Sequence, residues 1–235
     1  MAANPIDLKL CPVLMLDMNG TFMFGQDRFG PEQDYFSTYR QLGGRELSQE
    51  VVSSIISKFV DLMGSFYVDP NWYDAFPSVA DVLRNPKLDL GFGNPEMELL
   101  EEVIAHHELG NVPEDQTVSL QRLAKTHRLI LVSNIWSSTR LWIEHLKATE
   151  VLDAFDAVVF SSEHGCIKPG RRIFEIALEY AQVPPNKVVF IGDDPECDVT
   201  APRGLGMSTI RVVGTRKQIE RDADWVVGHL SEILC

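Results

Sequence analysis

Short apolar runs recur along the chain and predict buried strands. They are too continuous for strands that keep one face in water, and they fit parallel strands covered on both faces. The runs are PVLMLD (12–17), RLILVS (128–133), DAVVF (156–160), KVVFIG (187–192) and STIRVV (208–213), with DWVV (224–227) as an additional edge strand. We expect all of them to belong to one sheet.

Segments with apolar residues at helical spacing separate the later runs. The first, 113–127, begins with Pro113 and acidic residues, which is a helix start signal. Two further segments carry apolar stripes: Leu141, Ile143, His145 and Leu146 in 138–149, and Ile173, Phe174, Ala177 and Leu178 in 170–183. Strands that alternate with helices predict an α/β fold with a doubly wound parallel sheet.

Residues 23–112 break this alternation. The segment 47–67 places seven apolar residues at helical spacing, and Ser48 and Glu50 suit its N-terminus. The segments 77–86 and 95–110 also predict helices, the latter ending in Gly110. We therefore predict a core formed by 1–22 and 113–235, with an α-helical domain, 23–112, inserted after the first strand.

The net charge of the chain bears on which partners it can bind. The chain has 235 residues and a formal net charge of -13. We do not expect nucleic acid as a partner, because phosphate backbones attract patches of Lys and Arg. The oligomeric state is left open.

The cysteines and the N-terminal segment bear on the cellular compartment. Cys11, Cys166, Cys197 and Cys235 match the spacing of neither a zinc site nor a disulfide framework. We expect reduced thiols in a cytoplasmic protein. The first apolar run has no basic flank and Asp17 cuts it short, so we expect neither a signal peptide nor a membrane span.

Polar residues follow the predicted strands at the sheet edge where open α/β sheets bind ligands. They are Asp17, Asn19, Gly20 and Thr21 after the first run, Ser133 and Asn134 at the second, Lys168 beyond the third, and Asp193, Asp194 and Asp198 after the fourth. Carboxylate oxygens suit Mg²⁺, and Ser and Lys suit phosphoryl oxygens. The pattern predicts a metal and phosphate site.

Four of these segments, in this order, resemble the motifs of the haloacid dehalogenase superfamily, most of whose members are phosphatases. The segments are LDMNGTF (16–22), LVSN (131–134), GCIKPGRRIFEIAL (165–178) and VVFIGDDPECDVTAPRGLGM (188–207). A helical insert after the first motif resembles the helical cap of this family. The resemblance implies a Rossmann-like core.

The resemblance also implies a role for each matching residue. Asp17 would be the nucleophile that forms an aspartyl-phosphate. Mg²⁺ would be held by Asp17, Asp193 and the backbone carbonyl of Asn19, with Asp194 or Asp198 completing or orienting its shell. The remaining matches are Ser133 and Lys168 as holders of phosphoryl oxygens, Gly20 as a close backbone approach, Thr21 as loop support, and Asn134 as lining of the substrate space.

Asn19 departs from the family pattern. In family phosphatases an acid at this catalytic position protonates the leaving alkoxide and then activates water. An amide performs neither step, and general acid–base catalysis contributes a rate factor of about 10² to 10⁴. The substitution therefore bears directly on the reaction.

Four hypotheses are open. The chain transfers phosphoryl groups from a leaving group that needs no proton, or uses an acid from the loop that carries Asp27 and Asp34. It is a 2-haloacid dehalogenase-type hydrolase, although the retained acids after the fourth strand argue against this. It is a weakened relative that binds a phosphorylated ligand. Finally, deamidation at Asn19-Gly20 restores the acid. We favour Mg²⁺-dependent phosphoryl transfer from a small phosphorylated metabolite.

Two further groups are harder to assign. His106 and His107, beside Glu108, are predicted to lie at a solvated helix end, because adjacent helix positions do not face one ligand. The aromatic residues of 24–30 and 65–77 either line a pocket or form the contact between cap and core. They are Phe24, Phe29, Trp72 and Tyr73.

Overall fold

A six-stranded parallel sheet forms the centre of the protein. The computed structural model describes residues 6–88, 93–214 and 222–234. Its strands are β1 (Val13–Leu16), β2 (Arg128–Ser133), β3 (Ala157–Phe160), β4 (Val188–Gly192), β5 (Ser208–Val212) and β6 (Trp225–Val227). Their order across the sheet is β3-β2-β1-β4-β5-β6. The predicted strands and the doubly wound α/β fold are confirmed.

The burial of β1 explains its continuous apolar run. Leu14 and Leu16 pack into one apolar cluster, together with residues of the helices α5 (Glu114–Leu123) and α6 (Thr139–Ala148). Val13 and Met15 pack into a second cluster, together with residues of α8 (Arg171–Ala181). Each face of the strand is therefore covered, as parallel sheets require.

Helices α1 to α4 lie between β1 and β2 in the chain and share a third apolar cluster. They are α1 (Tyr35–Gln41), α2 (Gln49–Tyr67), α3 (Val79–Leu83) and α4 (Asn94–Glu108). The side chain of Ser48 accepts the N–H of Val51 and so caps α2, as its position predicts. Among the described residues of 23–112 no strand occurs, only isolated bridges at Met23 and Phe24.

Two features differ from the sequence analysis. Helix α1, which was not predicted, spans only 7 residues and is capped by the side chain of Asp34. In α6 the stripe centres on Trp142, which is fully buried and donates its indole N–H to Ser137 Oγ at 2.9 Å. His145, by contrast, is only half-buried.

Short helices and turns complete the described chain. They are α7 (Ser161–His164), α9 (Ala201–Gly204), the π-helical turn Pro195–Thr200, and 3-10 turns at Leu8–Leu10, Pro70–Trp72, Pro86–Leu88, Leu152–Ala154, Pro185–Lys187 and Leu230–Leu234. Cys11, Cys166 and Cys197 are free thiols, and Cys235 lies outside the described residues.

Candidate active site

Asp17 follows β1 at the centre of the sheet and is 5% exposed. Its backbone N–H continues the ladder to β4 by donating to the carbonyl of Ile191 at 2.9 Å. Its carboxylate accepts three side-chain donors: Lys168 Nζ at 2.7 Å and Ser133 Oγ at 3.2 Å on Oδ1, and Thr21 Oγ1 at 3.3 Å on Oδ2. The carboxylate is thus held in one orientation at the end of a buried strand.

Lys168 forms ion pairs with two buried carboxylates. Its ammonium lies 2.7 Å from Asp17 Oδ1 and 2.7 Å from Asp198 Oδ1. Burial disfavours the charged ammonium, but the two carboxylates outweigh that effect and raise the pKa of Lys168 above its usual value. Lys168 therefore carries a full positive charge at the floor of the site.

Asn134 fixes the backbone on which Lys168 sits. Its Oδ1 accepts the N–H of Lys168 at 2.8 Å, and its Nδ2 donates to the carbonyl of Lys168 at 2.9 Å. The amide also donates to the hydroxyl of Tyr67, from α2, at 3.0 Å. Asn134 borders the cavity and also positions the lysine.

Three carboxylates converge beside this lysine. Asp17, Asp193 and Asp198 each offer an oxygen, and these oxygens lie within 4.8 Å of one another. Asp198 Oδ2 also accepts the backbone N–H groups of Asp193 at 3.1 Å and Asp194 at 3.0 Å. Burial raises the pKa of Asp198, and the Lys168 ammonium opposes that rise.

Asp194 is placed differently from these three acids. One of its carboxylate oxygens accepts the N–H groups of Glu196 at 2.9 Å and Cys197 at 2.7 Å, and so caps the π-helical turn. Asp194 borders the cavity but is not part of the three-carboxylate group. The structure therefore brings Asp198, rather than Asp194, next to Asp17.

The donor set fits a hard divalent cation. Carboxylate oxygens are the ligands that Mg²⁺ takes in proteins. In addition, Asn19 borders the same cavity, and its buried Oδ1 has no hydrogen-bond partner among the described residues. A buried unpaired oxygen is costly, and a cation or a ligand donor would satisfy it.

Gly20 allows the loop after β1 to approach these acids. Its φ is +80°, and a Cβ built there would lie 2.7 Å from the carboxylate of Asp193. We expect Gly20→Ala to weaken activity and metal affinity by about 10- to 100-fold, since it displaces a carboxylate of the site. Metal titration and steady-state kinetics check this expectation.

Gly43→Ala is the matched control for that variant. Gly43 has a φ of +98°, and a Cβ there would meet nothing within 4 Å. Each alanine costs about 1 to 2 kcal/mol of backbone strain, but only the change at position 20 disturbs the acids. Unchanged metal affinity in Gly20→Ala would contradict this role of the glycine.

A cavity of about 450 Å³ opens above the carboxylates. Phe29 and Trp136 form part of its wall and stack with ring centroids 5.6 Å apart, and Tyr67 packs edge-on against the same Trp136 ring. Six acidic residues line this cavity, and Lys168 is the single basic residue among the described residues that line it. An anionic substrate therefore needs an additional positive charge in order to bind there.

The C-terminal end of α4 corrects one prediction. His106 is exposed, as a solvated helix end requires, but His107 and Glu108 are buried. The Glu108 carboxylate accepts the backbone N–H groups of Trp136 at 2.5 Å and Ser137 at 2.9 Å. Burial is the main cause that raises its pKa, to about 7. Glu108 lines the cavity, and its sequence neighbourhood gave no signal of this.

Of the four aromatic residues named above, Phe29 and Tyr73 fit one of the two roles considered, whereas Trp72 and Phe24 fit neither. Phe29 lines the cavity, and Trp72 instead packs against Phe66 with ring centroids 4.6 Å apart. The carbonyl of Tyr73 accepts the N–H of Ile167 at 2.8 Å, one residue before Lys168. Phe24 is 40% exposed.

Comparison with known proteins agrees with this geometry. A model of the haloacid dehalogenase-like hydrolase family matches residues 14–206, which contain every residue of the site described above. The chain belongs to this family. The family is one of hydrolases, and the predicted family membership is confirmed.

Relatives with a described activity act on phosphate esters. A pyrimidine 5'-nucleotidase of Escherichia coli is 36% identical over 91 residues, which are 37% of this chain and 40% of that protein. A glyceraldehyde 3-phosphate phosphatase of Pyrococcus furiosus is 28% identical over 169 residues, or 68% of each chain. The match to the nucleotidase spans well under half of that relative's length.

Solved structures show the same fold with two different chemistries. A phosphatase of the family from Thermococcus onnurineus has a TM-score of 0.63 at 23% identity, covering 94% of this chain and 95% of that one. A 2-haloacid dehalogenase from Pseudomonas syringae has a TM-score of 0.63 at 22% identity, covering 95% and 96%. The fold is thus shared, and the reaction has to be argued from the site.

Within the described ranges, none of the helices combines the length and the apolar character needed to cross a membrane.

Proposed function

We propose that the chain is a Mg²⁺-dependent phosphatase that acts on a small phosphorylated metabolite through an aspartyl-phosphate on Asp17. The observation that carries the proposal is the convergence on one cavity of the Asp17 carboxylate, the Lys168 ammonium and the oxygens of Asp193 and Asp198. A phosphoryl group needs a nucleophile, positive charge around its oxygens, and a fixed orientation. These residues offer all three.

The proposed nucleophile is a carboxylate oxygen of Asp17. Its hydrogen bonds from Ser133 and Thr21 hold the side chain, and Lys168 lies close enough to move its charge from Asp17 to a phosphoryl oxygen. Ser133 Oγ is a second donor to such an oxygen. Attack from a pre-oriented carboxylate lowers the entropic part of the barrier.

The residues that would hold Mg²⁺ are Asp17, Asp193 and Asp198, together with the backbone carbonyl of Asn19. Asp194 is retained as a ligand-orienting residue, because it caps the turn on which Asp198 sits. When bound, the ion offsets the repulsion between an anionic phosphate and the acids of the cavity. The excess of acids around the single Lys168 supports this requirement.

We also propose that residues 23–112 act as a cap over a core formed by 1–22 and 113–235. Phe29 and Tyr67 from the helical region line the same cavity as the carboxylates of the core. Ile167, from the loop that carries Lys168, packs into the apolar cluster of that region. Closure of such a cap excludes water and selects the substrate.

The competing function is halide displacement from a 2-haloacid. Asn19 favours it, since halide leaves without a proton. The three converging carboxylates oppose it, because they add negative charge where a carboxylic acid substrate would have to bind. The relatives named for a phosphatase and a nucleotidase also favour phosphate esters.

Metal removal tests the proposed function. We expect phosphate release from 4-nitrophenyl phosphate and from a panel of sugar and nucleoside monophosphates to fall to background in EDTA. Excess Mg²⁺ should restore it, since the acids of the site bind phosphate poorly without a cation. Undiminished release in EDTA would contradict the metal requirement. Halide release from 2-chloropropionate without phosphate release would favour the competing function.

A further inference from the structure

The proposed reaction lacks a proton donor at the usual place. A leaving alkoxide needs a proton, and Asn19 carries no group that titrates near neutral pH. Asn19 lines the cavity beside Asp17, so another acid has to reach the same space. Asp27 also lines this cavity, from the loop that leads from β1 to α1.

The backbone at Asp27 is unusual for a residue with a side chain. Its φ is +54°, in the left-handed region that Gly adopts without cost. Asp and Asn tolerate this conformation better than other residues, although it still costs free energy. Strain of this kind concentrates at functional sites. At Asp27 it coincides with a carboxyl group on the wall of the cavity.

Hydrogen bonds join this loop to the C-terminal end of α4. The N–H of Asp27 donates to the carbonyl of Glu108 at 3.0 Å, and the N–H of Arg28 donates to that of His107 at 2.8 Å. The Arg28 guanidinium donates to the carbonyls of Gly25 at 3.0 Å and Leu109 at 2.6 Å. These hydrogen bonds fix the backbone from which the Asp27 carboxyl group extends into the cavity wall.

Asp27 holds its proton more tightly than an ordinary aspartate. Desolvation raises the pKa of Asp27 to about 6. The nearby Asp17 carboxylate adds to this rise, whereas the Arg28 guanidinium opposes it. Glu108 is the other acid that faces it, from α4. The Asp27 residue is nevertheless exposed to solvent at the cavity wall. An acid of this strength can donate and recover a proton near neutral pH.

Other acids near the loop are already engaged. The Asp34 carboxylate caps α1 by accepting the N–H of Ser37 at 2.9 Å and its hydroxyl at 2.6 Å. The two carboxylate oxygens of Glu108 accept the N–H groups of Trp136 and Ser137. Asp27 has no comparable capping role among the described residues.

We propose that Asp27 is the general acid–base of this enzyme and takes the place that Asn19 leaves empty; this inference rests on the proposed phosphatase function. In the first step an Asp17 oxygen forms a bond to phosphorus, and the bond from phosphorus to the alkoxide oxygen breaks. That oxygen keeps the electron pair and takes the proton of the Asp27 carboxyl group. An alcohol leaves, and Asp27 becomes a carboxylate.

In the second step Asp27 recovers its proton. Its carboxylate takes a proton from a water molecule whose oxygen attacks phosphorus. The bond from phosphorus to the Asp17 oxygen breaks, and Asp17 returns to a carboxylate as hydrogen phosphate leaves. One ester and one water thus give one alcohol and one hydrogen phosphate, with both aspartates restored.

Asp27→Asn tests the inference, with Asp34→Asn as its matched control. Asn tolerates positive φ at position 27 and caps helices as well as Asp at position 34, so both variants keep the local backbone. We expect Asp27→Asn to lower kcat for glycerol 3-phosphate by about 10² to 10⁴. Asp34→Asn should retain the wild-type rate. Equal losses in the two variants would overturn the inference.

The leaving group separates a catalytic role from a structural one. 4-Nitrophenolate leaves without a proton, so Asp27→Asn should still phosphorylate Asp17 with 4-nitrophenyl phosphate. It should then hydrolyse the intermediate slowly and give a burst of one nitrophenolate per enzyme. A proportional loss on both esters without a burst would indicate a structural role and overturn the inference.

The pH profile and a rescue variant give independent readouts. General acid catalysis requires protonated Asp27, so wild-type kcat/KM should fall as the pH rises through about 6. The substrate phosphate titrates near the same pH, at a second pKa of about 6, but does so equally with both proteins. The Asp27→Asn variant should therefore lose only the part of the pH dependence that Asp27 causes. Adding Asn19→Asp to this variant should restore turnover.

The outcomes separate the two claims. If Asp27→Asn leaves the wild-type activity unchanged, this inference is overturned and the proposed phosphatase function stands. A wild type that releases no phosphate from any ester overturns both.

Discussion

The Asp17→Asn variant should release no phosphate above background, a loss of at least about 10⁴ in kcat. An amide offers no anionic oxygen for attack on phosphorus. Position 17 also faces the Lys168 ammonium at 2.7 Å, and this ammonium would lose one of its two carboxylate partners. Rapid-quench kinetics with 4-nitrophenyl phosphate measure both the covalent step and turnover.

The fold should survive this substitution. Asp198 still pairs with Lys168, and the backbone N–H of residue 17 still bonds Ile191. Circular dichroism and thermal unfolding therefore control for misfolding. Wild-type turnover in folded Asp17→Asn would contradict the assignment of the nucleophile.

Among the variants considered, Lys168→Met should show the largest loss in the free energy of unfolding. Met fills a similar volume but leaves Asp17 and Asp198, which are 5% and 1% exposed, without the ammonium that both contact. Removing one partner from a buried ion pair costs about 3 to 5 kcal/mol in the free energy of unfolding, because the other charge stays buried. Urea titration of the metal-free protein measures this loss.

Arg140→Met is the matched control for Lys168→Met. Arg140 pairs with Glu102 at 2.5 Å, but its side chain is 53% exposed. Exposed pairs contribute about 0 to 1 kcal/mol, so this variant should unfold close to wild type. The Lys168→Met deficit should shrink at acidic pH, because protonation removes the uncompensated charges. Equal stability of the two variants would contradict a buried, charged Lys168.

The sheet could be predicted because its signal is local. Each strand, such as β1 or β4, is a run of apolar residues bounded by turns, and burial on both faces makes the run continuous. The 7 residues of α1 carry no such signal, since their two buried side chains, Tyr35 and Tyr39, provide only one helical repeat. Short helices depend on packing that a local pattern does not encode.

The acids after β1 and β4 could be placed at one edge from the same strand pattern. The role of Asn134 in holding Lys168, 34 residues away, depends on a loop conformation. The burial of Glu108 depends on backbone donors 28 and 29 residues further along the chain. The sequence offers Asp27 and Asp34 as candidate acids, and the structure distinguishes them, because Asp34 caps α1 whereas Asp27 lines the cavity. Contacts between residues so far apart in the sequence are set by tertiary packing.

Covalent chemistry at Asp17 can be tested by trapping the aspartyl-phosphate. Wild-type enzyme would be mixed with Mg²⁺ and 4-nitrophenyl phosphate, quenched in acid, reduced with borohydride and sequenced by mass spectrometry. Reduction of an aspartyl-phosphate gives homoserine, so we expect homoserine at position 17 in samples that received substrate. Phosphate release with an unmodified Asp17, or with homoserine at another aspartate, would contradict it.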